Sequence, residues 1–214
     1  NWQKLIGYLF VPAALFGIAL TATRFALLMT MPALLFGLGA VVQLKPAHRF
    51  VVWTILIVGL FTLPFYIPSG SLQRLSTAGA EISGGDLNGR TEFWMHGLNM
   101  WIHKPLQGIG SNAFPSAVAP IIGIPRSIHN SFLAILVETG VIGLILFALL
   151  IVLGLIPVRQ LPFWDMLFWI SMLLVWALGN MAVVWVHNKV TCLLFSFLAV
   201  ATRNYLATQS VELV

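Results

Sequence analysis

The sequence predicts an all-α membrane protein of about six transmembrane helices, with a long periplasmic loop that carries an amphipathic helix. Three observations lead there. Hydrophobic residues make up 59% of the 214 positions and charged residues only 8%, where globular chains carry about a quarter charged residues. The mean hydropathy is +0.96. The apolar residues fall in runs close to the ~20 that a helix needs to cross a bilayer, and one long stretch of mixed polarity, residues 69–128, separates the third run from the fourth. This composition argues against a soluble domain. The net charge of +5 is spread over loops without a basic stripe, so nothing points to nucleic acid as a partner.

Taken in order, residues 5–20 form the first apolar run, closed by Thr21-Ala22-Thr23-Arg24. The second, residues 25–42, ends in the polar Gln43-Leu44-Lys45-Pro46-Ala47-His48-Arg49. The third, residues 50–67, is closed by Pro68-Ser69-Gly70. The fourth starts at His129-Asn130 and reaches Ile156-Pro157. After a turn at residues 158–162, a fifth covers residues 163–183 and a sixth residues 190–201, with Gly179-Asn180 and His187-Asn188-Lys189 blurring the ends of these last two. The chain thus divides into residues 1–68 with three transmembrane helices, residues 69–128 as a periplasmic loop region, and residues 129–214 with three more helices and a tail. It begins Asn1-Trp2-Gln3-Lys4, without an initiator Met or a signal-peptide pattern, as expected of the later part of a longer polypeptide with further helices before it. The single cysteine, Cys192, reads as a small buried hydrophobe.

Lysine and arginine in the short loops set the orientation. With the N-terminus inside, Lys4, Lys45, Arg49, Arg159 and Arg203 are cytoplasmic, while only Arg24 and Lys189 lie in short outer turns. Arg24, the 69–128 region and His129 then share the outer side. Within that region, Ser83-Gly84-Gly85-Asp86-Leu87-Asn88-Gly89 is a flexible turn cluster. Residues 90–104 follow as an amphipathic helix stopped by Pro105, with Glu92, His96, Asn99 and His103 along one stripe and Phe93, Trp94, Gly97, Leu98, Trp101 and Ile102 on the other face. Its aromatic residues suit the headgroup level, and the expectation is a helix lying flat on the outer leaflet. His96 and His103 share a face but lack a third ligand, so no metal site is assigned.

Polar groups entering a membrane span are costly and commonly have a use. The fourth run has a polar pair at its mouth, His129-Asn130, and one acid inside it, Glu138. A histidine there suits a general base, a hydrogen-bond donor to an anion, or a helix cap, and Asn130 suits a cap or an orienting partner. Glu138 is nine residues on, about half a turn out of phase and ~13 Å deeper, so it faces away from His129 in a regular helix. It reads as a structural residue pairing with a group on a neighbouring helix, with Gly140 and Gly143 permitting close helix approach. Gly108 and Gly110 let backbone bend close to a sugar or phosphate, or form an ordinary turn after Pro105.

Several of these residues carry a family pattern. Arg90-Thr91-Glu92-Phe93-Trp94, Lys104-Pro105-Leu106-Gln107-Gly108-Ile109-Gly110-Ser111-Asn112-Ala113-Phe114, and the block from His129-Asn130-Ser131-Phe132-Leu133 through Glu138, Gly140 and Gly143 together resemble the O-antigen ligase and polymerase family. Thr23-Arg24 is similar to that family's Ser-Arg pair, with Thr for Ser. The resemblance covers about residues 21–151. It implies transfer of a glycan from an undecaprenyl-diphosphate carrier to an acceptor hydroxyl at the periplasmic face of the bacterial inner membrane, in lipopolysaccharide biosynthesis. It further implies an inverting mechanism with no metal and no cofactor, and a lipid A–core acceptor, or another glycan or a protein for the family's polymerases and protein O-oligosaccharyltransferases. On the resemblance, His129, Arg90 and Arg24 are catalytic. Arg126 joins them by proximity as a substrate-binding residue, with Asn130, Gly108 and Gly110. The plain alternative for Arg24 is an anchor at the membrane surface. A small-anion transporter is the competing class, and it should string polar residues through the middle of several spans. A third reading is an inactive fragment or one half of a split enzyme.

Overall fold

The computed structural model describes residues 24–66, 70, 90–184 and 188–212. Every regular element among the described residues is helical. The chain separates into two units, residues 1–85 and residues 86–214.

The first unit contains α1 (Arg24–Val41) and α2 (Pro46–Tyr66), matching the second and third apolar runs. Proline at the first position of α2 has the backbone angle a helix start requires and gives up an N–H that would have no helical partner. The Arg49 guanidinium donates to the carbonyls of Val42, at 2.7 Å, and Leu44, so a cation covers the carbonyls just past α1. Thr54 and Thr62 turn their hydroxyls onto carbonyls of their own helix, at 2.9 and 2.8 Å, which hides polar hydrogens on an apolar surface. The apolar stretches here, Leu28–Val41 and Pro46–Thr62, are shorter than a full span. The first expected span, residues 5–20, lies outside the described residues.

The second unit is built from α3 (Arg90–His103), α4 (Phe114–Ile122), α5 (Ser131–Leu155), a 3-10 turn (Pro157–Gln160), α6 (Phe163–Ala182) and α7 (Lys189–Glu212). Three stretches, Ser131–Gln160, Phe163–Ala182 and Lys189–Gln209, are long and apolar enough to cross a membrane. They match the fourth to sixth runs, although α7 continues well beyond the expected residue 201. The short helix α4 was not expected. Its prolines, Pro115 and Pro120, read as turn residues in sequence, yet Pro115 sits in the first turn of the helix, where proline is tolerated.

Two apolar clusters hold this unit. At the start of α5, Phe93, Phe114, Val118, Ile128, Ala134 and Val137 are buried together. At its far end, Val158, Leu161, Leu173 and Leu198 join the 3-10 turn to α6 and α7. Between them Trp176 of α6 packs against Phe147 of α5 at 6.0 Å and edge-on to Phe195 of α7 at 5.2 Å. Its indole N–H donates to the Thr191 hydroxyl at 3.0 Å. One side chain thus ties three spans together. Trp176→Ala should destabilise the chain by about 3–5 kcal/mol, whereas Trp176→Phe, losing chiefly the interhelical hydrogen bond, should cost only about 0.6–2 kcal/mol. Thermal unfolding of both variants in detergent measures the difference.

Candidate functional site

The site is assembled at the start of α5. Asn130 has extended backbone and its side-chain oxygen accepts the Leu133 N–H at 3.1 Å, so it caps the helix. The Ser131 hydroxyl donates to the Val183 carbonyl at 2.9 Å, fixing this end of α5 to the end of α6. His129, just before the cap, has φ of +51°, a left-handed conformation uncommon for a residue other than glycine. Its backbone N–H points at the Ser127 hydroxyl, 3.4 Å away. The imidazole is half-buried at the end of the approach formed by residues 126–128.

Helix α3 is docked against that approach. The Trp94 indole donates to the Ile128 carbonyl at 3.0 Å, and the Arg126 guanidinium lies over the Phe93 ring, 5.7 Å from its centre. Gly97 has no room for a side chain, since a Cβ there would lie 2.7 Å from Ile128 Cδ1 and 3.2 Å from Val137 Cγ2. The face of α3 assigned in sequence to the lipid surface is therefore packed, at Phe93 and Gly97, on the protein's own core. This docking puts Arg90, the first residue of α3, within electrostatic reach of His129. Burial, then Arg90, then Arg126 hold the His129 imidazole below its ordinary pKa, because each disfavours a further positive charge. Three of the expected site residues are thus together: His129, Arg90 and Arg126. Arg24 begins α1 in the other unit, and its side chain lies outside the described residues.

Deeper in α5 the helix is broken. Gly140 has φ +69° and ψ −169°, far from helical values. In an unbroken helix the N–H groups of Val141 and Ile142 would bond to the carbonyls of Val137 and Glu138. Instead they donate to Pro105 O at 2.9 Å and, at 3.4 Å, to Leu106 O, while Val137 O and Glu138 O accept from Ile109 N at 3.0 Å and Gly110 N at 2.9 Å. The loop after α3 thereby satisfies all four groups that the break exposes. Gly108 and Gly140 are the points of closest approach: a Cβ on Gly108 would lie 2.6 Å from Thr139 N, and one on Gly140 would run into the Leu106 carbonyl. Gly108 is buried against the chain's own backbone, and the Gly110 N–H is engaged by Glu138 O. Gly143 has another neighbour than a second helix, since the side chain of Thr139, one turn back, fills the space beside it.

The Glu138 carboxylate completes this junction. It accepts from Asn112 N at 2.7 Å and from Phe114 N at 3.4 Å, the amides at the start of α4. It supplies the cap that Ala113 cannot, in the position where a helix favours negative charge. Its partners are backbone amides, one on the loop and one at the first residue of the neighbouring helix α4, rather than a side chain on another span. Sequence reading missed Trp94, Phe93, Ser127 and Asn112 as supports of the site. The available signal was an acid two residues before a glycine in an apolar helix, with a Gly-x-Gly turn upstream. Among the described residues no three His, Cys, Asp or Glu side chains gather as metal ligands.

A family model described as O-antigen ligase matches residues 9–148, about two thirds of the chain. The chain belongs to the O-antigen ligase family. The match runs from the apolar helices before the loop through α3, the glycine turn and most of α5. No curated protein and no solved structure matches the chain. Membership in the O-antigen ligase family makes this multi-pass membrane protein an enzyme of the glycosyltransferase kind, with a lipid-linked glycan donor and a glycan acceptor.

The junction can be probed directly. Gly140→Ala and Gly108→Ala should each lower stability by at least ~1–3 kcal/mol, the strain of a side chain at such a φ, before any displacement of the opposing backbone is added. Glu138→Ala leaves two amides without their acceptor and should cost about 1–3 kcal/mol, and Glu138→Gln, which keeps one oxygen, should cost less. Denaturation of the four variants in detergent ranks them.

Proposed function

We propose that the protein transfers a glycan from an undecaprenyl-diphosphate carrier to an acceptor hydroxyl, with lipid A–core as the acceptor, at the periplasmic face of the inner membrane. The observation that carries this reading is a half-buried histidine held toward its neutral form beside two guanidinium groups, at the mouth of a membrane helix. Neutral imidazole can accept a proton. As the acceptor oxygen bonds to the anomeric carbon, its proton passes to His129. The bond from that carbon to the diphosphate breaks on the opposite side, so the configuration inverts, and the electron pair leaves on the diphosphate. Arg90 and Arg126 meet the charge that develops there. Guanidinium suits the task, because it stays charged at any working pH and grips phosphate oxygens in two places, and in this role it replaces a metal ion. Arg24 is assigned the same role on the resemblance of Thr23-Arg24 alone.

The depressed basicity favours His129 as a base over His129 as a charged donor to the diphosphate. Asn130 orients that histidine through the cap it makes. Gly108 and Gly110 are assigned here to the junction with α5 rather than to substrate, because their close contacts are with Glu138 and Thr139. Among the described residues the Glu138 carboxylate is engaged by Asn112 N, and the Asn180 Nδ2 donates to the Trp176 carbonyl at 2.8 Å. Within the described spans one isolated side-chain oxygen, Asn180 Oδ1, is thus buried without a partner, rather than a string of polar groups. That pattern does not support a transport path. Polymerase or protein-glycosylating activity would use the same chemistry with a different acceptor.

Transfer from purified carrier lipid to lipid A–core, to glycan repeat units and to a protein acceptor decides among these. His129→Ala should slow transfer by about 10²–10⁴-fold, and Arg90→Ala by about 10²–10³-fold, the usual effect of losing a group that meets developing charge. Full activity in both variants would remove the assignment. Since burial and two cations hold the His129 pKa below its ordinary value in the unliganded protein, kcat/KM should hold down to a pH below about 6.5 and fall as His129 becomes protonated. Arg126→Gln should shift that acid limb to higher pH.

The orientation has its own test. A cysteine placed at Asn88 should label from outside intact spheroplasts and one at Gln160 should not. The reverse pattern would put His129 on the cytoplasmic side.

A further inference from the structure

At the end of the spans remote from His129, α5 and α7 enclose a groove of about 500 Å³. Its walls are apolar, with Gly154 and Pro157 on one side and Phe195, Ala199 and Leu206 on the other, and Arg203 stands among them. The volume falls in the range of about 300–1,000 Å³ typical of small-molecule sites. Gly154 lets the two helices meet at the floor of the groove, since a Cβ there would lie 2.9 Å from the Phe195 ring.

Arg203 is the one charged residue of the lining, and it has no anionic partner among the described residues. Among the described residues the single ion pair is His96 with Glu92, at 3.9 Å. Glu138 is engaged at the other half of α5, and Asp165 pairs with no cation among the described residues. Arg159, on the 3-10 turn that begins at Pro157, adds a second unpaired cation to the same end. An apolar slot with a guanidinium among its lining residues has the polarity of one lipid: a tail for the slot and a phosphate for the arginine. On the orientation given above this end faces the cytoplasmic leaflet, where anionic lipids attract basic residues.

We propose that the α5–α7 groove is a binding site for an anionic phospholipid, its acyl chain lying along Pro157, Ala199 and Leu206 and its phosphate on Arg203. The site is separate from the transfer chemistry and does not rest on it. A packed apolar helix from elsewhere in a longer polypeptide would fill the slot but leave Arg203 unmatched, so charge distinguishes the two occupants.

The test uses the purified chain in a neutral detergent, with thermal unfolding followed as lipid is added. Dioleoyl-phosphatidylglycerol should raise the melting temperature in a saturable way, whereas dioleoyl-phosphatidylcholine, with the same tails, and inorganic phosphate should not. Arg203→Gln should weaken the phosphatidylglycerol effect about fivefold in apparent affinity. Ala199→Phe, which fills the slot, should abolish it. Should Ala199→Phe fail to fold, native mass spectrometry of lipid retained by wild type and Arg203→Gln gives the same comparison. Equal stabilisation by both lipids, a shift produced by phosphate alone, or an unchanged response in Arg203→Gln would overturn the proposal.

Discussion

The second unit depends on an exchange of four backbone hydrogen bonds between α5 and the loop at residues 105–110. Breaking a helix inside an apolar segment leaves two N–H groups and two carbonyls without partners, and each such group costs several kcal/mol in surroundings that offer no water. Here Pro105 and Leu106 supply the missing acceptors, while Ile109 and Gly110 supply the missing donors. Neither half of the arrangement is stable alone: the broken helix needs the loop, and the loop's own amides and carbonyls need the break. Glycines on both sides permit the contact, since any side chain at Gly108 or Gly140 would occupy the space of the other strand's backbone.

The position of the active groups follows from this. The loop continues directly from α3 and leads directly into α4, so fixing it against the middle of α5 fixes both short helices. Glu138 adds the third point by holding the start of α4. Phe114 at that start packs with Phe93 of α3 and Val137 of α5, and α3 in turn carries Arg90, Phe93 and Trp94 to the approach of His129. The histidine is nine residues before the acid, roughly 13 Å along the helix. What happens at Gly140 therefore reaches the site through rigid elements rather than through contact.

Much of this was legible in the sequence. The apolar runs mark the helices, and the 3.6-residue pattern from Arg90 marks α3. The polar pair at 129–130 and the nearby arginines mark the site, and the family's motif picks out the same residues. Other features were hidden for definite reasons. Periodicity shows that α3 has an apolar face but not what covers it, because lipid tails and a protein core are equally apolar; only the fit of Gly97 against Ile128 and Val137 decides. Glu138 announced a partner, yet that partner is a pair of backbone amides, which no side-chain pattern records. Gly140 in an apolar run looks like a small residue for helix packing, and its positive φ has no signature apart from the loop that meets it. The prolines of α4 speak for turns, and their tolerance at a helix start depends on a cap brought in from α5.

The electrostatics of the site bear on the order of events in the proposed reaction. Arg90 and Arg126 lower the proton affinity of His129 while no anion is bound. A diphosphate settling on those guanidinium groups offsets their charge, and the imidazole's proton affinity then rises, since the field that depressed it is cancelled. In the proposed reaction His129 is weakly basic before donor binds and more strongly basic with donor in place, the direction that favours taking a proton from an acceptor hydroxyl. By linkage, a proton on His129 and an anion on the arginines favour each other. The groups that stabilise the leaving diphosphate in the proposed reaction would thus also raise the basicity of His129 when a diphosphate is bound, while the part of the depression that comes from burial stays.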